Sequence, residues 1–201
     1  MTTAQLPPFT HTHANPDLAP FDVSLETYLA SNPTISRLVT SAVVVRCPTS
    51  GTAPRVLLIQ RAASDGFPLQ WECPGGSVDV SDQTILHALH RELFEETGLA
   101  LTRIVDLLNG GVEFRWGDGI CRKLTFMVEV EERAGGVVLN PEEHVDFVWA
   151  SEEDVRAEVC GGREVRFAYE TLRDAILEGL RRAKERGVGE VVGGMHQQKS
   201  V

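Results

Sequence analysis

Residues 91–99 read RELFEETGL and place three glutamates and one arginine ahead of a glycine. Glu92, Glu95 and Glu96 are spaced i, i+3 and i+4, so on a helix they share one side and span an arc of about 100 degrees. Three like charges held this close repel one another unless cations neutralise them. Mg²⁺ prefers oxygen ligands and shares them with substrate phosphates. The cluster therefore predicts a divalent-cation site or an ordinary solvated helix face, and a charge run taken alone favours the solvated face.

Arg91 and a pair of glycines give the cluster a context that favours metal binding. Arg91 precedes Glu95 by four residues, so its guanidinium is expected to pair with that carboxylate and hold it in place. Upstream, the stretch WECPGG ends in Gly75 and Gly76. Glycines permit a tight turn and the close approach of a ligand, which makes both residues candidates for substrate binding.

A helix over residues 82–99 is expected to position the carboxylates. Its apolar residues recur at helical spacing and form one stripe: Leu86, Leu89 and Leu93. Ser81 or Asp82 can cap the start of this helix, and Gly98 supplies the left-handed residue that commonly ends one. Burial of the leucine stripe would hold the carboxylates at the rim of the core.

Strand and helix patterns surround this central helix. Strands are predicted at residues 37–47, 55–62, 101–110, 122–132 and 144–150. Further helices are predicted at residues 24–32, at residues 151–159 behind a capping box of Ser151 and Asp154, and at residues 165–187. This order implies a mixed α/β sandwich. We expect residues 1–23 to form an extended or disordered arm, residues 24–186 one domain, and residues 187–201 a flexible Gly-rich tail.

Composition narrows the class of protein. The chain has 201 residues and a formal charge of −10, which argues against a surface that coats nucleic acid. No apolar run approaches the roughly 20 residues that span a bilayer, and the N-terminus lacks the features of a secretory signal. The four cysteines form no CxxC pair, so reduced thiols and a cytoplasmic location are expected. An acidic protein can still hold a phosphorylated small molecule if divalent cations mediate the contact.

The stretch GSVDVSDQTILHALHRELFEETGL, residues 76–99, resembles the Nudix box, the signature of Nudix hydrolases. That box is a glycine, five residues, a glutamate, seven residues, and then Arg-Glu-aliphatic-x-Glu-Glu-x-Gly-aliphatic. Gly76 matches the opening glycine, and residues 91–99 match the second half without a gap. Similar flanking segments are RVLLIQRA before the box and PEEHVDFVWASEEDV after it, so the resemblance covers about residues 37–185.

One extra residue before Arg91 departs from the pattern of the box. Counted forward from Gly76, the position of the first glutamate of the box is occupied by Asp82. Eight residues, rather than seven, then separate Asp82 from Arg91. Counted back from Arg91, the same slot falls on Gln83. An insertion in the loop DVSDQ explains both counts, since loops absorb insertions at small entropic cost. The sequence leaves open whether Asp82 does the work of the missing glutamate.

The resemblance implies a hydrolase that uses Mg²⁺ or Mn²⁺ to cleave a pyrophosphate linkage in a nucleoside diphosphate-linked compound. It makes Glu92, Glu95 and Glu96 the metal ligands, with Arg91 orienting Glu95. The metal ions would neutralise pyrophosphate oxygens and make a bound water more acidic for attack on phosphorus. The implied fold is an α/β/α sandwich around a mixed β-sheet.

Further candidates for the site lie outside the helix. The general base could be Glu142 or Glu143, in the loop before the strand at residues 144–150, although both also fit a plain turn. We select Glu143. Arg61, which ends a strand before the glycine turn, could contact a substrate phosphate or be a surface arginine. Trp71 could stack on a base, but an aromatic residue beside a strand more often belongs to the core.

Two other functions are compatible with the sequence. The first is a catalytically silent Nudix-fold protein that binds or regulates, against which the retention of Arg91 and all three helix glutamates argues. The second is an enzyme similar to isopentenyl diphosphate isomerase, which uses a cysteine and a glutamate. Cys73 is the one feature that favours it. The identity of the pyrophosphate substrate and assembly as a homodimer are left open.

Overall fold

A computed structural model of the chain describes residues 6–9, 15–46, 53–131 and 136–186. A short 3-10 helix at Pro16–Phe21 precedes the regular elements. The helices are α1 (Leu25–Ser31), α2 (Ile85–Thr97), α3 (Glu152–Ala157) and α4 (Glu170–Arg186). The strands are β1 (Arg37–Arg46), β2 (Arg55–Arg61), β3 (Trp71–Glu72), β4 (Ala100–Trp116), β5 (Gly119–Glu131), β6 (His144–Ala150), β7 (Val159–Cys160) and β8 (Arg163–Glu164). The predicted mixed α/β architecture is confirmed.

Six strands form one mixed sheet. Five of them follow the order β3-β2-β1-β5-β4, and the sixth, β6, pairs with β2. The pair β1–β5 is parallel, and the pairs around it are antiparallel. Strands β1 and β2 pair only at Val45 with Val56 and at Arg46 with Arg55. Beyond that point the segment 74–78 bonds along β1 instead. This segment, residues 74–78, is called the glycine loop. It is therefore inserted into the opening between β1 and β2.

Each face of the sheet carries its own apolar core. On one side α2 contributes Leu86, Leu89 and Leu93, all fully buried, as the predicted stripe requires. On the other side α4 packs Ile176 and Leu180 against the sheet. Burial of a side chain of this size stabilises the fold by about 2 kcal/mol, so the two helices are held firmly in place.

Helix α2 begins later than the sequence predicts. Its N-cap is Thr84, whose Oγ1 accepts the His87 amide, and not Ser81 or Asp82. Asp82 is unavailable as a cap because its carboxylate already binds the Asp79 amide and a side chain of α2. Gly98 ends the helix in the left-handed conformation, with φ 68°, as predicted.

Two terminal segments also differ from expectation. The arm predicted as extended or disordered contains the 3-10 helix, because Leu18 is 2% exposed and packs into the α2-side core. Helix α4 begins at Glu170 rather than near residue 165, because the preceding residues run beside β3: Trp71 donates to the Arg166 carbonyl at 2.9 Å. The predicted tail at residues 187–201 lies outside the described residues.

Two further observations concern cysteines and membranes. Cys73, Cys121 and Cys160 are buried and free of disulfides, whereas Cys47 lies outside the described residues. Within the described ranges, every helix is too short or too polar to cross a bilayer.

Candidate active site

The glycine loop and α2 together place two carboxylates. The Oε2 atom of Glu96 accepts the Gly75 amide at 2.7 Å, and Glu96 is only 5% exposed. Gly76 lies against Glu92 so closely that a Cβ atom there would be 2.5 Å from the Glu92 Oε2 atom. Both glycines thus lie next to a carboxylate. At Gly76 a larger residue would have to displace Glu92.

These carboxylates are poorly solvated. Burial raises the pKa of Glu96 well above its usual range, and the nearby carboxylates of Glu72, Glu92 and Glu143 add to the effect. Burial also raises the pKa of Glu92, although Arg91 opposes the shift. Negative charge is therefore concentrated at this point without enough positive charge to balance it.

Arg91 ties the start of the loop to the helix. Its Nε and Nη2 atoms donate to the two Asp82 oxygens at 2.8 and 2.9 Å, and Nη2 also donates to the Ser77 carbonyl. Its Nη1 atom contacts Glu92 at 2.9 Å and Glu95 at 3.0 Å, so the ion pair expected from the spacing is present. The two-point pairing with Asp82 is the strong geometry for a guanidinium and a carboxylate.

This arrangement shows that Asp82, and not Gln83, contacts Arg91 from the slot of the missing glutamate. Asp82 is 9% exposed and holds Arg91, whereas Gln83 is exposed. Burial acts to raise the pKa of Asp82, but hydrogen bonds from Arg91 and the Asp79 amide outweigh it, so the net pKa is lowered. The inserted residue is absorbed in the loop, and the shorter aspartate reaches the arginine.

We expect Asp82→Asn to destabilise the protein by about 2 kcal/mol at neutral pH, because Arg91 would lose a charged, two-point partner. The folded pKa of Asp82 lies below its unfolded value, so its stabilising effect is present above pH 4 and is lost as the pH falls through the folded pKa. Urea unfolding at pH 7 and pH 3.5 measures the difference. Gln83→Ala is the control. An equal loss in both variants, or a loss independent of pH, would contradict the assignment.

A second set of ligand atoms lies beside Glu96. One ligand atom each from Glu96, Glu143 and His144 lie within 4.8 Å of one another. The Nε2 atom of His144 is 3.4 Å from a Glu72 oxygen and 3.9 Å from a Glu96 oxygen, and the imidazole is 2% exposed. Its Nδ1 atom has no hydrogen-bond partner among the described residues. Glu143 itself is exposed, so solvent reaches this group of ligands from one side.

Arg61 contacts Glu72, which is also the neighbour of His144. Its guanidinium pairs with the buried Glu72 and, at 2.6 Å, with Asp65. Burial acts to lower the pKa of Arg61, but the two carboxylates reverse the shift and raise it. The predicted phosphate ligand is therefore engaged with two carboxylates, and its contact with a substrate stays a prediction.

Three residues near the glutamates had no role in the sequence predictions: Glu72, Lys123 and His144. Glu72 is buried between the buried Trp71 and Cys73. An acidic residue between two apolar neighbours is the feature of the sequence that could have indicated it. His144 directly follows Glu143, but no periodicity marks it. Trp71 is 2% exposed and belongs to the core, which excludes it as a stacking surface.

The residues present suit a divalent cation. Glu92, Glu95 and Glu96 offer oxygen ligands of the kind that Mg²⁺ prefers, and an imidazole such as His144 suits Mn²⁺ as well. The crowding of buried carboxylates, with the pKa of Glu96 raised, is what a bound cation would relieve. Glu95 is the most exposed of the three helix glutamates, with 53% of its side chain accessible.

Comparison with solved structures shows the same fold. The MutT protein from Methanosarcina mazei Go1 is 23% identical, with 74% of this chain and 95% of that chain covered and a TM-score of 0.52. The ORF135 protein of E. coli is 22% identical, covering 79% and 98%, with a TM-score of 0.54. The NUDIX domain of Shewanella oneidensis NrtR, complexed with ADP ribose, is 21% identical, covering 81% and 99%, with a TM-score of 0.56.

Sequence comparison defines the family. No curated protein is significantly similar to the chain. The family model of the NUDIX domain matches residues 37–167, well over half of the chain, and this range includes the glycine loop, α2 and the carboxylates around Glu96. The chain therefore belongs to the Nudix family.

Proposed function

We propose that this Nudix hydrolase cleaves a pyrophosphate linkage in a nucleoside diphosphate-linked compound, with Mg²⁺ or Mn²⁺ as its cofactor. The observation that carries the proposal is the buried, negatively charged group around Glu96, held against the glycine loop and flanked by the Arg91 clamp. Such a group destabilises the fold unless a cation binds, and a structural role alone does not explain it.

Each residue of the group has a role in this proposal. Glu92, Glu95 and Glu96 hold the cation, and Arg91 fixes the orientation of Glu95 through the contact at 3.0 Å. A divalent cation bound there supplies charge neutralisation for the pyrophosphate and lowers the pKa of water. Gly75 and Gly76 allow the loop to lie against β1 and the Glu92 carboxylate, and we propose that a substrate phosphate binds beside them. Attack by water on one phosphorus breaks the bond to the bridging oxygen, which leaves with the other phosphate.

Glu143 is the proposed general base. It is exposed to solvent, and one of its oxygens lies within 4.8 Å of a ligand atom of Glu96, so it can accept a proton from a water at the site. Glu142 is also exposed, and its amide donates a hydrogen bond to Asn140 Oδ1 at 3.2 Å.

We expect Glu143→Gln to lower kcat by about a hundredfold or more, the usual contribution of a positioned base. Glu142→Gln is the matched control, because it removes the same charge from the adjacent residue and is expected to change kcat less than twofold. Steady-state kinetics from pH 6 to 9 measure both. Equal effects of the two variants would remove Glu143 from the mechanism.

A substrate panel tests the proposed function. It contains ADP-ribose, nucleoside triphosphates, dinucleoside polyphosphates, nucleotide-sugars, coenzyme A, NADH, inositol pyrophosphates and prenyl diphosphates. ADP-ribose is included because the NUDIX domain of NrtR was solved with it. We expect turnover of at least one compound with Mg²⁺ or Mn²⁺, two phosphorylated products, and no turnover in EDTA. Absence of turnover across the panel would favour the catalytically silent binding protein.

A further inference from the structure

Glu143, the proposed general base, is positioned by its backbone and not by its side chain. Among the residues that the structure describes, its carboxylate makes no hydrogen bond or ion pair, and the side chain is exposed. Its amide donates to the Asn140 carbonyl at 3.2 Å, and its carbonyl accepts the Ala62 amide at 2.8 Å. We call residues 140–143 the base turn. A general base must lie within reach of the water that it deprotonates, so whatever fixes the base turn also affects the reaction.

The base turn is held at both of its ends. At the start, the Asn140 amide donates to the Glu96 carbonyl at 3.3 Å, close to the end of α2. At the other end, the His144 amide donates to the Asn140 carbonyl at 2.8 Å. Residues 141–143 are exposed, whereas His144 is only 2% exposed. The imidazole of His144 therefore ties the second end of the turn to the protein interior.

Regular alternation along β6 would not bring this imidazole to Glu96. Val148 belongs to the α4-side core, whereas Phe147 packs against the α2-side core. Side chains point to opposite faces at successive positions of a strand. A regular β6 would therefore turn His144 to the α4 side, together with Val148, and away from the carboxylates of α2.

A bulge in β6 reverses that direction. The register between β2 and β6 shifts between Gln60 and Arg61. Arg61 lies opposite His144, which leaves Val145 as an extra residue of β6. Residues paired across antiparallel strands point to the same side, and Ile59, two residues before Arg61, belongs to the α2-side core. The bulge therefore turns His144 to the face of the sheet that carries α2.

On that face the imidazole lies between two carboxylates that other contacts hold. The Nε2 atom of His144 is 3.4 Å from a Glu72 oxygen and 3.9 Å from a Glu96 oxygen. Glu72 is 4% exposed, and its Oε1 atom also accepts the Arg61 guanidinium. Glu96 accepts the Gly75 amide. The surroundings of the imidazole are thus fixed on both sides, which makes it a firm anchor for the turn that precedes it.

We propose that His144 is a positioning residue: its buried imidazole holds the base turn so that the Glu143 carboxylate stays beside Glu96. The inference rests on the proposed function and adds the residue through which the general base is placed. His144 needs no contact with substrate or cation for this role. Without the imidazole the exposed turn would shift, and a displacement of about 1 Å is enough to lower a rate about a hundredfold.

Hydrogen exchange measured in EDTA tests the anchor without catalysis. We expect the amides of the base turn to exchange at least about fivefold faster in His144→Leu than in wild type, because local opening sets their exchange rate. The amides to follow are those of Glu143, residue 144 and Ala62, which all bond within or to the turn. Val148→Ala is the matched control, because it empties a buried position of the same strand on the α4 side. It is expected to leave exchange in the turn unchanged.

A double-mutant cycle tests the link to Glu143. We expect His144→Leu to lower kcat about tenfold or more and to change KM less than about twofold. In the Glu143→Gln background the same substitution is expected to change kcat less than about twofold, because the group that it positions is already lost. His144→Gln can place an amide nitrogen near the Nε2 position and is expected to recover most of the kcat and of the exchange protection.

Three results would overturn the proposal. The first is equal exchange of the base turn in wild type and His144→Leu. The second is an equal effect of His144→Leu on kcat with and without the Glu143 carboxylate. The third is loss of the Mg²⁺-induced rise in Tm in His144→Leu, which would assign the imidazole to the cation site. If His144→Leu does not fold, the shorter His144→Asn, which leaves the Nε2 position empty, replaces it in every measurement.

The two proposals fail separately. If no compound of the substrate panel is turned over, the proposed function fails, and hydrogen exchange alone decides whether His144 anchors the turn. If a compound is turned over but the cycle shows independent effects, the hydrolase stands and the positioning role of His144 falls.

Discussion

Replacing Glu96 with glutamine is expected to abolish hydrolysis and, at the same time, to stabilise the protein in the absence of metal. Glu96 is buried, and its ionised form is disfavoured by burial and by Glu72, Glu92 and Glu143. Glutamine keeps an oxygen that can accept the Gly75 amide but removes the charge. The loop therefore keeps its anchor while the site loses a metal ligand.

The expected loss of kcat is about a thousandfold or more, because the charge that holds the cation is also the charge that aligns it with the pyrophosphate. The expected gain in the free energy of unfolding in EDTA is about 1–2 kcal/mol, since each unit by which a buried carboxyl's pKa is raised corresponds to about 1.4 kcal/mol. Activity and stability change in opposite directions, which a merely structural role for Glu96 does not produce.

Thermal unfolding with and without Mg²⁺ completes this experiment. Mg²⁺ is expected to raise the Tm of wild type, because a ligand that binds only the folded state stabilises it. The same addition is expected to leave Glu96→Gln nearly unchanged. Glu142→Gln serves as the control for loss of a nearby surface charge. A variant that is active, or one that unfolds at lower temperature in EDTA while Mg²⁺ still protects it, would exclude Glu96 as a metal ligand.

The sequence predicted those parts of the site that depend on local spacing. The i, i+3, i+4 glutamates, the leucine stripe of α2 and the terminal Gly98 are consequences of helical periodicity, which is legible within one segment. The Arg91–Glu95 pair belongs to the same class. The predicted N-cap was wrong because capping depends on which side chains are free. The carboxylate of Asp82 instead accepts a hydrogen bond from Arg91, nine residues away.

Long-range neighbours were not predictable in this way. Glu72, Lys123 and His144 come from three different strands, and only the sheet order brings them near Glu96. The predicted strand at residues 101–110 ended at its glycines, whereas β4 passes through them in a bulge and continues to Trp116. That error left out the exposed Phe114 and Trp116, which lie beyond the predicted end of the strand.

Alanine at Gly75 and alanine at Gly76 are expected to fail for different reasons. A Cβ atom on Gly75 would lie 2.6 Å from the Ser41 Cα atom and closer still to the Thr40 carbonyl oxygen, and φ is +148°. These obstacles are backbone atoms of β1, which is held by hydrogen bonds on both sides. We therefore expect Gly75→Ala to lower the free energy of unfolding by about 3 kcal/mol.

Gly76→Ala meets a different obstacle. The atoms nearest to its Cβ would be the Glu92 carboxylate, at 2.5 to 2.7 Å, and the end of a side chain can rotate away at small cost. We expect a change in stability below about 1 kcal/mol and a fall in kcat of about a hundredfold, since displacement of a catalytic group by about 1 Å has effects of that size. Urea unfolding and steady-state kinetics on the same preparations separate the two outcomes.

Gly66→Ala is the matched control for this pair. A Cβ atom at Gly66 would meet nothing within 4 Å, so this substitution is expected to change neither stability nor kcat. If Gly76→Ala unfolds as readily as Gly75→Ala, the loop and not the Glu92 carboxylate is the sensitive element. If Gly76→Ala keeps full activity, the position of Glu92 does not limit the reaction, and the metal site must rest on Glu96 and Glu95. Gly75→Ala and Gly76→Ala together thus measure whether the two glycines are needed for stability, for catalysis, or one for each.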